Sequence, residues 1–308
     1  MDNETLLFDR IEMIKLVINK YGEENFYISF SGGKDSTVLH YLMDEALPNN
    51  KIERVFINTG LEFVDIVKFV KSFCQNDDRF VIINNERNIK LSLEEYGYPF
   101  KSKMHSKKVS EYQRNGLTMS PRNYLNGTKS DGTGSLFKCP NCLKYQFTCE
   151  NDLKISEKCC ELFKKQNFHK YEKQTTRKIP ITGVRMSEGG SRANHHECVI
   201  YDKKRNIKVF NPLNPVTDDW MDWYIKQRDI ELCKLYYPPF NFERTGCKGC
   251  PFAIKLKEQL DVMEELLPAE RKQCEYIWKP VYDEYRRIGY RKMSEGKDRH
   301  EEKIQSNI

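Results

Sequence analysis

Apolar positions along the chain switch from a helical to a strand-like period and back, and this alternation lays out an α/β protein. Near the start Leu7, Ile11, Ile14 and Ile18 follow one another at four, three and four residues. That spacing places them on one face of a helix over residues 5–20, which Gly22 ends. Residues 25–30 form a short apolar run that predicts a buried strand. A helix over 36–46 follows, with Leu39, Leu42, Met43 and Ala46 on one face. The pattern repeats with a strand over 54–58, a helix carrying Ile66, Val67, Val70, Phe73 and Cys74, and a strand over 80–83. It resumes later with a helix around 156–165 and a strand over 179–182. Strands alternating with helices predict a parallel sheet flanked by helices, with ligands gathered at the carboxyl ends of its strands.

Between residues 94 and 149 the periodicity is lost in polar, basic and glycine-rich sequence, including Asn126-Gly127-Thr128 and Ser130-Asp131-Gly132-Thr133-Gly134. A compact domain rarely carries so long an irregular stretch without a binding role, so an irregular insertion over the active-site edge is expected. After Asn211-Pro212-Leu213 comes a tryptophan-rich helix near 218–228. Two further helices carry the stripes Leu256, Leu260, Met263, Leu267 and Cys274, Trp278, Val281, Tyr285. The resulting division is 1–95 for the first part of the α/β core, 96–150 for the insertion, 151–252 for the second part of the core and 253–308 for a helical C-terminal part.

The candidate chemistry begins where the first strand turns into its helix, at Ser29-Phe30-Ser31-Gly32-Gly33-Lys34-Asp35-Ser36-Thr37. Two glycines let backbone N–H groups approach an anion closely, and the helix N-terminus adds a partial positive charge at the same spot. Lys34 contributes a full charge, and Ser31, Ser36 and Thr37 contribute hydroxyl donors. A pyrophosphate or a nucleotide tail suits such a cradle. The Walker A spacing is not met, since Ile28 stands where its first glycine would be and Asp35 follows the lysine. Thr59 and Gly60 end the second strand at the edge where a nucleotide would lie. Gly183-Val184-Arg185 closes the strand over 179–182, and Ser187, Gly189, Gly190, Ser191 and Arg192 form another small-residue turn. Arg185 and Arg192 are candidate phosphate clamps, because a planar guanidinium matches phosphate oxygens.

With 308 residues the chain is long enough for a sizeable core, and 39% hydrophobic content with 12% aromatics argues against disorder. No run approaches the roughly 18 apolar residues of a membrane helix, and the acidic start Met1-Asp2-Asn3-Glu4 lacks signal-peptide features. A cytoplasmic protein with no membrane partner is expected. The net charge of +6 suits anionic nucleotides or nucleic acid without demanding either. Basic clusters lie within 101–108, 164–178 and 286–299, where solvated faces are an equal reading.

Eleven cysteines in a protein expected in a reducing compartment turn attention from disulfides to metal or redox chemistry. Cys159-Cys160 and Cys247-Lys248-Gly249-Cys250 bring two pairs from distant sequence, a soft four-sulfur set that suits zinc or an iron–sulfur cluster. A second group, Cys139-Pro140-Asn141-Cys142 with Cys149, lies in the insertion. It offers a second zinc site with Cys198, His195 or His196 as fourth ligand, or else a persulfide-carrying thiol. Cys74, Cys233 and Cys274 fall on apolar patterns and read as buried, inert thiols.

Ser31-Gly32-Gly33-Lys34-Asp35-Ser36 resembles the SGGxDS loop of the PP-loop ATP pyrophosphatases, the adenine nucleotide alpha-hydrolase-like superfamily, which split ATP between its α and β phosphates. The cysteine framework resembles that of the phosphoadenosine phosphosulfate (PAPS) reductase family, whose adenylyl-sulfate reductases carry a [4Fe-4S] centre on a Cys-Cys pair and a distant C-x-x-C. Here the interval from Cys160 to Cys247 is 87. Ile181-Thr182-Gly183-Val184-Arg185, Ser191-Arg192-Ala193, Asn211-Pro212-Leu213 and Phe56-Ile57-Asn58-Thr59-Gly60-Leu61-Glu62-Phe63 are similar to that family too, with Asn58 where an aspartate is usual.

Two departures set the expected activity. The reductases end in a Glu-Cys-Gly tail whose cysteine attacks the sulfonucleotide, and this chain has no cysteine after Cys274. Their phosphate loop also lacks the Lys34-Asp35-Ser36 run. The combination is similar to the sulfur-transfer branch, the DNA phosphorothioation sulfurtransferases and cluster-bearing tRNA thiolases. The resemblance implies an enzyme that holds ATP on Ser29, Ser31 to Thr37, Asn58, Thr59, Gly60, Gly183, Arg185 and Arg192. Lys34, Asp35 with Mg²⁺, and Arg185 would act on the leaving group. Cys159, Cys160, Cys247 and Cys250 would carry the cluster in sulfur transfer to an acceptor, nucleic acid among the candidates, with a sulfur-donor or thiol-reductant protein as partner. The alternatives are a sulfonucleotide reductase using an external thiol and a non-catalytic nucleotide-sensing or nucleic-acid-binding subunit. Oligomeric state is left open.

Overall fold

Six strands of the computed structural model, β1 (Phe26–Ser29), β2 (Glu53–Asn58), β3 (Phe80–Asn84), β4 (Ile179–Ile181), β5 (Val199–Tyr201) and β6 (Ile207–Phe210), form one sheet in the order β3-β2-β1-β4-β6-β5. All pairs are parallel except the β5–β6 edge. The structure describes residues 2–189 and 197–293. Its helices in chain order are α1 (Asn3–Tyr21), α2 (Lys34–Ala46), α3 (Val64–Asn76), α4 (Ile89–Tyr96), α5 (Lys103–Asn115), α6 (Met119–Asn126), α7 (Gln166–Gln174), α8 (Asp218–Gln227), α9 (Leu256–Leu266) and α10 (Pro268–Arg287). The chain divides into two compact units, Met1–Arg87 with Glu161–Lys248, and Asn88–Cys160 with Gly249–Ile308.

The first unit contains the whole sheet. Its strands are short and apolar, with Phe26, Ile28, Val55 and Ile181 fully buried, as expected of a parallel sheet covered on both faces. The side chain of Asp2 caps α1 by accepting from the Thr5 N–H at 2.7 Å, and α2 buries Val38, Leu39, Leu42, Met43 and Ala46. From β1 the chain runs to β2 and β3 on one side, then returns on the other side of β1 as β4. This reversal opens a crevice at the carboxyl ends of β1 and β4.

The expected strands and helices of this unit are present within a few residues. The helix expected over 156–165 is longer, helical from residue 159 to 174, with a π-turn at Glu161–Lys165. The β5–β6 hairpin is an addition: its strands are three and four residues long, too short for a period to be read.

The second unit differs more from expectation, because residues 103–126 of the stretch expected as irregular fold into α5 and α6. The buried face of α5 is His105, Ser106, Val109 and Ser110. A face that is mostly polar carries no hydrophobic period, which is why the helix is invisible to that test.

Both units bury polar groups in hydrogen-bonded clusters. In the first, the wholly buried Arg54 donates to Nδ1 of His40 at 3.1 Å, to Asn50 at 2.8 Å and to Asp44 at 2.5 Å. Arg79 holds Asp44 and Asp77 at 2.6–2.9 Å. His40, Asp44 and Asp77 lie close enough together to hold a metal, but both oxygens of each carboxylate already accept hydrogen bonds from Arg54, Arg79 or Asn50. In the second unit the buried His105 sits between Gln146 Oε1 at 2.7 Å and the Tyr124 hydroxyl at 3.1 Å. Burial and the neighbouring Arg54 charge push His40 down to about 4, and burial pushes His105 down to about 4.

Both histidines therefore fold neutral, while the unfolded chain takes up their protons near pH 6.5. Their contribution to stability is complete above pH 6.5 and is lost as the pH falls toward 4, at about 1.4 kcal/mol per pH unit for each. Urea unfolding at pH 7 and pH 5, with NMR titration of the imidazole carbons, checks this. A folded-state midpoint near 6.5 for either ring would contradict it.

Candidate functional site

After Phe30 the chain turns through Ser31, Gly32 and Gly33 into α2 at the crevice. Gly32 has φ +70°, and a Cβ there would lie 2.9 Å from Val70 and 3.0 Å from Ile66 of α3. Both the backbone angle and the close packing demand glycine. The loop hydroxyls shape the loop itself. Ser36 Oγ donates to the Gly33 carbonyl at 3.0 Å and accepts from the Ser31 N–H at 3.1 Å, and Ser31 Oγ lies 3.0 Å from it. Thr37 is fully buried and gives its hydroxyl to the same carbonyl at 3.1 Å. Thr37 therefore supports the turn and does not present the donor expected of it.

The first turn of α2 is held from two directions. The Lys34 N–H donates to the Tyr236 hydroxyl at 2.9 Å, and that hydroxyl lies 2.7 Å from Thr245 Oγ1. The Lys34 ammonium stands 3.4 Å from Asp222. On the β4 side, a Cβ at Gly183 would meet the Asp35 backbone at 2.9 Å, so the strand exit touches the helix start. Arg185, buried at 4% exposure, donates through Nε to Asp35 at 2.7 Å, through Nη2 to Asp218 at 2.7 Å and through Nη1 to Ser187 at 2.9 Å. Burial works against its charge, yet Asp35 and Asp218 outweigh this and raise its pKa; in turn the bond from Arg185 holds Asp218 below the usual carboxylate range. Arg185 is expected from the sequence as a phosphate clamp; here it bonds Asp35, Asp218 and Ser187.

A cavity of about 370 Å³ opens here, of a size that suits a small ligand. Ser29, Ser31, Gly33, Asp35, Ser36 and Gly183 line it, as the sequence leads one to expect of a nucleotide site. The β2 side of its wall is Phe56, Ile57 and Glu62 rather than Asn58, Thr59 and Gly60. Asn58 bonds Asn84 at 2.9 Å, and Thr59, 2% exposed, gives its N–H and hydroxyl to Glu62 Oε2 at 2.8 and 2.7 Å. Glu62 Oε1 faces Lys164 at 3.3 Å. An adjoining cavity of about 720 Å³ is lined by Lys34, Arg185, Asp218 and Asp222, and shares Asp35, Tyr236 and Arg244 with the first.

Glu62, Lys164, Tyr236 and Arg244 are missed by the sequence reading. Arg244, 64% exposed, pairs with the buried Glu188 at 2.7 Å. The one signal in the sequence is position: Arg244-Thr245-Gly246 directly precedes Cys247. The segment that follows is anchored by the Lys248 N–H, which donates to the Leu61 carbonyl at 2.7 Å. Arg192, His195 and His196 lie outside the described residues.

The cysteines sort by environment. Cys159 and Cys160 head a helix with their sulfurs 3.9 Å apart. Together with Cys250 they belong to the second unit, and Cys247 belongs to the first. Gly249 has φ +59°, and a Cβ there would strike Tyr282 and Cys274 of α10. Tyr282 donates to the Gly249 carbonyl and Tyr285 to that of Pro251, the latter at 3.0 Å, so the segment around Cys250 is pinned to α10. Cys233 and Cys274 are buried, as expected, whereas Cys74 is partly exposed. Cys139 is buried, and burial pushes its thiol up to about 11, while Cys142 and Cys149 are exposed. Among the described residues these three do not gather as a group of donors. Cys198, one of three candidates for a fourth ligand, lies 3.1 Å from the Arg10 guanidinium.

The sequence profile of the phosphoadenosine phosphosulfate reductase domain matches residues 25–131 and 135–253. An uncharacterized protein of Methanocaldococcus jannaschii is 27% identical over 293 residues, 90% of this chain, and the chain spans 56% of that relative's length. Among solved structures, the PAPS reductase from Candida auris in its phosphate complex is similar at 14% identity, over 77% of this chain and 87% of that one, with a TM-score of 0.45. The U34-tRNA thiolase NcsA from Methanococcus maripaludis with its [4Fe-4S] cluster is similar at 13% identity, over 96% and 82%, with a TM-score of 0.36.

Gly183→Ala tests the contact that positions Asp35. It is expected to lower stability by about 1–3 kcal/mol through overpacking, while Gly134→Ala, whose Cβ would meet nothing within 4 Å, stays within about 0.5 kcal/mol. Equal urea midpoints for the two variants would refute the contact.

Proposed function

The chain belongs to the phosphoadenosine phosphosulfate reductase domain family, and on that premise we propose that it is an ATP-using sulfurtransferase of the PP-loop type. ATP lies in the crevice at β1 and β4 with its phosphates on the turn from Ser31 to Ser36. The observation that carries this reading is the carboxylate of Asp35, held by Arg185 at 2.7 Å beside an anion cradle. A carboxylate repels a bare phosphate, so its fixed place there makes sense if a divalent cation lies between them. Such a cation accompanies a polyphosphate.

Asp35 would hold Mg²⁺, which supplies neutralising charge when bound. The α2 N-terminus and the Lys34 ammonium draw charge toward the β and γ phosphates. Arg244, on the wall shared by both cavities, is placed to leave Glu188 for the pyrophosphate. Arg185 acts as a positioning residue. An acceptor oxygen attacks the α-phosphorus, the bond to the bridging oxygen breaks, and pyrophosphate leaves with the electron pair. A sulfur nucleophile then displaces AMP, which carries away the acceptor's oxygen.

Cys159, Cys160, Cys247 and Cys250 are the residues that would hold a [4Fe-4S] cluster, with zinc as the alternative. The adjacent Cys159 and Cys160 sulfurs, 3.9 Å apart, fit a thiophilic centre, and a bound cluster would supply a binding site for sulfur.

The test uses the full chain purified without oxygen, with ATP and Mg²⁺. Slow transfer to water yields AMP and pyrophosphate. Lys34→Ala and Asp35→Asn each lower this rate by about a hundredfold and Arg244→Ala by about tenfold, in line with loss of charge stabilisation. Cys160→Ser loses metal and visible absorbance but still binds ATP. Formation of ADP and phosphate alone would sink the proposal, and sulfite release from adenylyl sulfate with an added thiol would replace it by the reductase reading.

A further inference from the structure

One segment carries as much net positive charge as the whole chain. Residues 101–144 contain nine lysines and arginines against Glu111 and Asp131, a net +7, while the whole chain carries +6. The rest of the chain is therefore one unit negative. In the second unit the segment comprises α5, α6 and the loop that follows. With His105, Ser106, Val109 and Ser110 turned inward, α5 leaves Lys103, Lys107 and Arg114 exposed. Their spacing of four and seven residues sets them on one helical face. Lys129, Lys138 and Lys144 are exposed on the loop.

The loop also presents apolar surface on an anchored frame. Lys129 N–H donates to the Thr133 carbonyl at 2.7 Å, Ser135 N–H to Gly127 at 2.8 Å and Cys139 N–H to Tyr124 of α6 at 2.9 Å. Between these ties Leu136 is 98% exposed and Phe137 69% exposed. An exposed ring flanked by lysines matches the way proteins hold unpaired bases: cations follow the phosphates and an aromatic face stacks on a base.

We propose that this surface binds single-stranded nucleic acid, with phosphates along Lys103, Lys107, Arg114, Lys129 and Lys138 and a base on Phe137. A lipid surface is disfavoured because the buried side of α5 leaves it no amphipathic stripe to insert. A duplex has no unpaired base for Phe137. Binding requires neither ATP nor the cysteines; only the further step, that the bound strand is the sulfur acceptor, rests on the function proposed above.

Fluorescence anisotropy of the full chain without ATP measures this. The probes are a labelled 20-nucleotide single strand of RNA or DNA, a duplex of equal length and phosphatidylserine vesicles. The single strand is expected to bind, with log K falling by roughly 0.7 per contacted phosphate against log salt. The double variant Lys103→Glu, Lys107→Glu flattens that slope. Phe137→Ala weakens binding about tenfold at an unchanged slope, and Phe137→Trp restores it. Lys279→Glu, exposed outside the segment, leaves binding unchanged. Absence of single-strand binding at low salt, preference for duplex or vesicles, or indifference to Phe137→Ala would overturn the inference. Oligonucleotide binding without pyrophosphate release would remove only the enzymatic reading.

Discussion

One charged contact organises the candidate site: the buried guanidinium of Arg185 between Asp35 and Asp218, 2.7 Å from each. It spans the exit of β4, the first turn of α2 and the first turn of α8. A buried arginine with both carboxylates in place is satisfied, whereas removal of either partner would leave charge stranded in a poor solvent. The same contact fixes where Asp35 points, so stability of the crevice and chemistry of the cradle depend on the same bonds. Gly183 makes it feasible, since only a residue without a side chain lets β4 come that close to α2.

Around this contact the phosphate turn is prepared from within. Ser31, Ser36 and Thr37 spend hydroxyls on the turn, and Tyr236 with Thr245 receives the Lys34 N–H. A loop held in this way pays little ordering cost when an anion arrives. Lys34 and Arg244 are different, being partly exposed and paired with carboxylates at the cavity walls. Their charge would be available to the anionic ligand proposed above.

Polar burial explains where the sequence was hard to read. Strands β1 to β4 and helices α1 to α3 follow simple apolar patterns, and each stands within a few residues of its expected place. Helix α5 packs through His105, Ser106 and Ser110, whose partners Gln146, Tyr124 and the Phe100 backbone come from separate positions along the chain. No local pattern announces such a helix. The candidate site was legible to a smaller extent: Ser31 to Ser36 and Gly183 were marked by turn chemistry, while Glu62, Lys164 and Arg244 lay within or beside noted segments without being singled out, and Tyr236 lay outside them.

The amino-acid sequence alone determined the α/β class, the place of the glycine turn after the first strand and the short spacing of the cysteine motifs. Each depends on neighbours in the chain: side-chain period, glycines at a strand-to-helix turn, thiols at short spacing. Tertiary structure decided how those groups are used. Arg185 looks like a free clamp until Asp35 and Asp218, 150 and 33 residues away in the chain, are seen to claim it. Thr37 looks like a donor until its burial is known. Charge and hydrogen-bonding capacity belong to a residue, but whether they remain for a ligand depends on partners brought together by folding.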